Sequence, residues 1–190
     1  FLSYGLAKTG EYIINFSDKK TGVPYVCQLG GSNKNVTTNT STTPIGQPKV
    51  KQHPLFSYKP STQNDNPKFT EAFSYYRRTM DSDIDNFNDV AAAFAYIVSI
   101  NYMFYHQQRS VSTSQIQKIY DQFVEKLLLD ENFKKATNET KQQLAEVVIM
   151  DGLESYKARE TLSLDKCKEV SLRMLRKYLG NAADKLKITD

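Results

Sequence analysis

The closest approach to a chemical motif in this chain is an alternating acidic run. In Asp81-Ser-Asp83-Ile-Asp85-Asn-Phe-Asn-Asp89 the carboxylates stand at positions 1, 3, 5 and 9 of a calcium-binding loop. Oxygen ligands of this kind are what a hard divalent cation takes. Asp81, Asp83 and Asp85 are therefore candidate calcium ligands, and calcium is the one cofactor the residues suggest. The pattern departs from such a loop twice: Asn86 stands where glycine makes the sharp turn, and Ala92 where the bidentate Glu belongs. An acidic run ahead of a helix N-terminus, favoured by capping and by the helix dipole, is the stronger reading.

Other spacings suggest less. Ser163-x-x-Lys166 has the form of a serine–lysine nucleophile, and Lys8-Thr-Gly10 and Lys20-Thr-Gly22 echo a companion motif of penicillin-binding folds. Their order is reversed and no Ser-Asp-Asn accompanies them, so Ser163 reads as a helix N-cap. His106 could pair with Asp81, Asp83 or Glu146 in acid–base chemistry, but nothing in the spacing forces them together. A histidine near a helix C-terminus is already explained by the dipole. Two Cys and two His are too few for a tetrahedral zinc site. Cys27 and Cys167 are thus either two unrelated thiols or one long-range disulfide in an exported protein.

The elements that would carry these residues fall into three regions. Residues 1–29 form an N-terminal arm in which 11–16 and 23–27 are β-prone around a turn-like 17–22, suggesting a small hairpin. Pro24 confines the second strand to an edge. Residues 30–68 hold five of the six prolines and an Asn/Thr/Ser tract, and read as a flexible linker in which Leu55-Phe56 could dock locally. Residues 69–190 read as a helical domain. Asp89 or Asn88 caps a helix over Val90–Tyr105, too short at about sixteen apolar residues to span a bilayer. Ser112-x-x-Gln115 has capping-box form ahead of the stripe Ile116, Ile119, Tyr120, Phe123, Val124, Leu127, Leu128.

Beyond that, 130–135 predicts a short helical turn, and Thr137 opens a helix with Ala145, Val148, Ile149, Gly152, Leu153 and Tyr156 on one face. Gly152 there would permit close approach of a neighbouring helix. Ser163 caps a last helix bearing Leu164, Cys167, Ser171, Met174, Leu175 and Tyr178, with Gly180 at the C-cap position. The expected fold is all-α: an orthogonal or up-down bundle of about five helices around the apolar 90–105 helix, preceded by the arm.

Composition and charge narrow the classes. The chain has 190 residues, 39% apolar and 12% aromatic, with a net charge of +4. So many rings argue against a wholly unfolded chain, and the charge is too slight for a nucleic-acid partner. Residues 1–80, 81–151 and 152–190 carry +6, −5 and +3. Tyr75-Tyr76-Arg77-Arg78 with Arg173, Arg176 and Lys177 could mark a surface for an anionic partner, but solvated helix faces are the better reading.

The stretch Asp85-Asn-Phe-Asn-Asp-Val-Ala-Ala-Ala-Phe-Ala-Tyr96, then 112–128, the leucine-then-Phe step 127–133, Lys141-Gln-Gln-Leu-Ala-Glu146 and 179–189 together resemble a bacterial family defined as a domain of unknown function. The resemblance covers roughly residues 69–190. It implies an exported helical protein, periplasmic or secreted, and brings no catalytic residues. It tilts Cys27 and Cys167 toward a disulfide. Residue 1 is Phe, which cleavage of a signal peptide or trimming would both explain. The expected function is a non-enzymatic binding or interaction module with a protein or small-molecule partner. The alternative is a small cell-envelope hydrolase using Asp81, Asp83 or Glu146 with His106.

Overall fold

The computed structural model describes residues 48–61 and 63–188. The hairpin expected in the 1–29 arm and Cys27 lie outside the described residues. Among the described residues six α-helices follow one another: α1 Pro67–Met80, α2 Val90–His106, α3 Thr113–Leu128, α4 Glu131–Lys134, α5 Asn138–Thr161 and α6 Leu164–Leu179. Short 3₁₀ turns occupy Pro54–Phe56 and Gly180–Lys185. No strand occurs among the described residues, and the architecture is all-α, as the periodicity requires.

The helix boundaries follow from local chemistry. Asp89 caps α2 through Ala92 N–H at 2.9 Å. Ser112 and Gln115 close a reciprocal capping box on α3, and Thr137 caps α5 through Thr140 N–H. Ser163 holds the N-cap position of α6 without a side-chain cap bond. Asn66 caps α1 ahead of Pro67, whose missing N–H costs nothing at a first helical position. Gln107, with φ 56° and ψ 33°, ends α2 in the left-handed region. Gly180 ends α6 at φ 57°, a value that favours glycine there.

Helix α2 is the axis of the bundle. Every residue from Val90 to Tyr102 is buried, because this helix has apolar side chains all round and needs cover on every side. α3 returns along it and stacks Phe123 on Phe94, with centroids 4.9 Å apart. α5 runs in the same direction as α2, since Tyr96 meets Gly152 and Asn101 accepts from Ser155 Oγ at 2.9 Å. A Cβ on Gly152 would stand 2.5 Å from Tyr96 Cε1, so the close helix approach expected at this glycine is real. α6 folds back on α5, pairing Lys177 with Asp151 and Arg173 with Glu154. α1 lies across α2 and α5, with Tyr76 edge-on to Tyr96 and Tyr75 stacked on Tyr156.

The stretch read as linker behaves differently where it is described. From Val50 on it is a strap packed against the bundle, with Phe56 fully buried and Val50 and Tyr58 nearly so. Its low apolar content suggested it could not offset chain entropy. Two well-placed aromatic side chains and a series of hydrogen bonds to other elements supply what composition did not show.

Candidate functional site

The alternating carboxylates are spent separately. Asp81 is exposed at the C-terminus of α1. Asp83 is buried and accepts from Thr113 Oγ1 at 2.5 Å and from Ser82 Oγ at 3.2 Å. Asp85 pairs with Lys49 at 3.1 Å, and Asp89 is turned inward as the α2 cap. Among the described residues no group of three or more His, Cys, Asp or Glu is arranged to hold a metal ion. The acidic run thus serves tertiary contacts and a helix N-terminus.

Asp89 is the most buried of these groups. It also accepts the Tyr120 hydroxyl at 3.0 Å, whose oxygen in turn accepts His53 N–H at 2.7 Å. Burial raises its pKa above the ordinary carboxylate value, against the opposing pull of the Ala92 N–H and Tyr120 hydroxyl donors. Tyr58, Tyr76 and Tyr120 surround it, and burial first, then the Asp89 charge, pushes Tyr76 and Tyr120 upward. Burial does the same to Tyr58, with Glu146 and Asp89 adding to it. These phenols stay neutral; Tyr120 donates to Asp89, while the buried Tyr76 hydroxyl has no hydrogen-bond partner among the described residues.

His106 does not meet the carboxylates proposed for it. It ends α2 with its ring against Tyr102 and Tyr105, centroids 4.3 and 4.9 Å away. Burial lowers its pKa, and Lys168 adds to the effect. Glu146 lies nine residues before Ser155 on α5, while His106 lies five beyond its partner Asn101. The two are therefore separated by roughly 20 Å along the bundle at 1.5 Å per helical residue. Ser163 and Lys166 are both exposed at the start of α6. Cys167 is buried on the inner face of α6, and its expected partner Cys27 lies outside the described residues. The basic residues singled out on α6 are ion-paired: Arg173 with Glu154, Arg176 with Asp184 at 2.8 Å and Lys177 with Asp151 at 2.5 Å. Arg77 and Arg78 lie over the rings of Phe87 and Tyr75.

A concave site does form, elsewhere. A groove of about 320 Å³ runs between the segment leading into α1 and the first turns of α5. Ser61, Gln63, Asn64 and Asp65 make one wall, and Glu139, Gln142, Gln143 and Glu146 the other. The walls are tied at their base. Gln142 Oε1 accepts Ser61 N–H at 2.7 Å, and its Nε2 donates to Glu146 Oε1 at 2.8 Å. Asn64 Nδ2 donates to the other Glu146 oxygen at 2.7 Å. Three carboxylates and no cationic side chain line the groove, so its field is negative. Of these residues the sequence offers only Glu146 as a chemical candidate, with a different partner, while Gln142 and Gln143 enter through the family resemblance. The available signal was the i, i+4 pair Gln142–Glu146, which places an amide beside a carboxylate on one helix face.

No helix among the described residues is long and apolar enough to cross a membrane. Comparison with curated proteins and with solved structures finds no match. A family model does match, over residues 26–190, and so takes in the strap, the groove and all six helices as well as Cys27 and Cys167. The chain belongs to a family of unknown function, DUF6683.

Proposed function

We propose that this protein is a non-enzymatic binding module whose groove takes an organic cation rich in N–H donors, such as the lysine or arginine side chains of a partner protein. The observation that carries this reading is the groove itself: carboxylates of Asp65, Glu139 and Glu146 set among amides on two facing walls. Such a lining rewards a ligand that is positively charged and donates several hydrogen bonds. Glu146 is held from both walls by Asn64 and Gln142, so its orientation is set before a ligand arrives.

Titrating the whole protein with short oligolysine and oligoarginine peptides, followed by calorimetry at two salt concentrations, tests the reading. Binding should weaken as salt rises and be lost in the variant Asp65→Asn/Glu139→Gln/Glu146→Gln. Binding that survives those substitutions, or none to the wild-type protein, removes it.

An exported bacterial setting, periplasmic or secreted, belongs to the same proposal. It would bring Cys27 and Cys167 into one disulfide, the pairing that the family resemblance favours. Mass spectrometry of the unreduced protein isolated from its native cells reads this directly. Two thiols alkylated without prior reduction would remove the disulfide.

A further inference from the structure

The way the strap is held differs from the way the helices are held. Helix α2 keeps its backbone bonds within itself and is covered by four other helices. Residues 49–61 have almost no internal ladder, and their bonds reach outward to several other elements in turn. Lys49 Nζ donates to Ile84 O at 3.2 Å and Val50 N–H to Asp83 O at 2.7 Å. Gln52 exchanges two bonds with the backbone of Asn86, both 2.8 Å. Further along, Lys141 Nζ donates to Leu55 O at 2.5 Å and Tyr58 N–H to Asn88 O at 2.9 Å. All these partners except Lys141 belong to the 81–89 connection rather than to a helix. Only Val50, Phe56 and Tyr58 are buried apolar side chains.

A segment with few buried apolar contacts, most of whose bonds run to other elements, can leave without any helix unwinding. We propose that residues 49–61 form a latch that opens and closes as one unit on an intact helical bundle, with the His53–Tyr120–Asp89 relay as its catch. The relay fits that role because the strap reaches Tyr120 through a single backbone N–H, that of His53. Its other two members, Tyr120 and Asp89, stay with α3 and α2 when the strap leaves. The strap ends at Ser61, which is tied to Gln142, so an open latch also releases that tie between the groove walls and leaves the Asn64–Glu146 tie in place. That consequence alone rests on the binding reading. The latch itself does not.

Native-state hydrogen exchange on the full chain, followed across sub-denaturing urea, tests the latch. Amides of 49–61 should exchange faster than those of α2 and with a shallower urea dependence, because less surface is exposed on opening. Leu175→Ala, in the α6 core, should raise α2 exchange about 100-fold and leave the strap rates unchanged. If that variant does not fold, Ile149→Val should give the same contrast at about fivefold. Strap and α2 rates that rise together would show that the strap opens only by global unfolding, and the latch would be overturned. Tyr120→Phe should raise strap exchange about tenfold, as loss of a buried hydrogen bond implies. An unchanged rate would overturn the assignment of the catch. If the Ser61 amide failed to follow residues 49–60, the groove consequence would fall and the proposal that 49–61 opens as one unit would be overturned. Absence of peptide binding with the exchange pattern intact would count against the binding reading alone.

Discussion

The central helix α2 and the strap 49–61 are both tucked under other parts of the molecule, and they get there by opposite means. In α2 thirteen consecutive residues are buried, and the apolar surface they withdraw from water is the driving term. In the strap most side chains stay wet, and Phe56 and Tyr58 act as two pegs among a series of polar ties. The first arrangement tolerates no opening short of unfolding. The second places a modest apolar contribution beside many bonds that water can replace. Depth of burial alone therefore says little about how firmly a segment is held.

The largest test of this contrast attacks a peg. Phe56 is fully buried and stacked on Phe133 with centroids 5.1 Å apart. Phe56→Ala should cost about 3–5 kcal/mol in urea unfolding, as for buried aromatic residues elsewhere. A loss below about 1 kcal/mol would mean the strap contributes little to the folded state.

The next test presses on the central helix. Adding a Cβ at Gly152 puts a methyl into the ring of Tyr96, a buried side chain that cannot swing away. Overpacking of this kind costs about 1–3 kcal/mol, reduced by up to about 1 kcal/mol because alanine favours a helix. Gly152→Ala should thus be destabilising, with thermal unfolding as the readout. A stabilised variant would show that α5 can move away from α2.

A smaller effect should appear at the join between the two regions. Asp89→Ala removes the cap of α2 and the acceptor of the Tyr120 hydroxyl, and should cost about 1–2 kcal/mol. The pH dependence has a defined sign. The folded-state pKa of Asp89 is raised above the unfolded value near 3.8, so the folded protein binds the proton more tightly. The contribution of this group to stability is complete below that unfolded value and is lost as pH rises through the folded value. Urea midpoints measured from pH 3 to 7 should show this decline in the wild-type protein. Subtracting the Asp89→Asn profile isolates it, and identical profiles would dismiss it.

The smallest effect belongs to the surface. Arg173 and Glu154 are both more than half exposed, so Arg173→Ala should shift stability by no more than about 0.5 kcal/mol. A larger loss would mean that the α5–α6 ion pairs take part in holding the bundle.

How much of this could be read from the residues depends on how far each signal reaches along the chain. The caps Asp89, Ser112 and Thr137, the stripe on α3 and the stop at Gly180 are local patterns, and each is where its neighbours in sequence put it. The helical region reads from residue 69, whereas α1 starts at Pro67, where Asn66-Pro67 is itself a helix-opening pair. Asp89 of the acidic run caps α2, yet nothing near it in sequence announces that Asp83 is taken by Thr113, thirty residues on. The groove was illegible for the same reason: Ser61 and Gln142 are 81 positions apart and meet only when α5 is in place.

What the amino-acid order determined by itself is the all-α class, the helix that must sit at the centre, and the glycine where a neighbour comes close. These follow from side-chain periodicity and backbone sterics, which act within a few residues. Tertiary structure alone decided that 49–61 is a strap, that His106 and Glu146 lie at different levels of the bundle, and that three carboxylates share one groove. Those outcomes depend on which faces are left for polar groups once the apolar ones have been covered. That is a property of the packed helices together and of no single stretch of the chain.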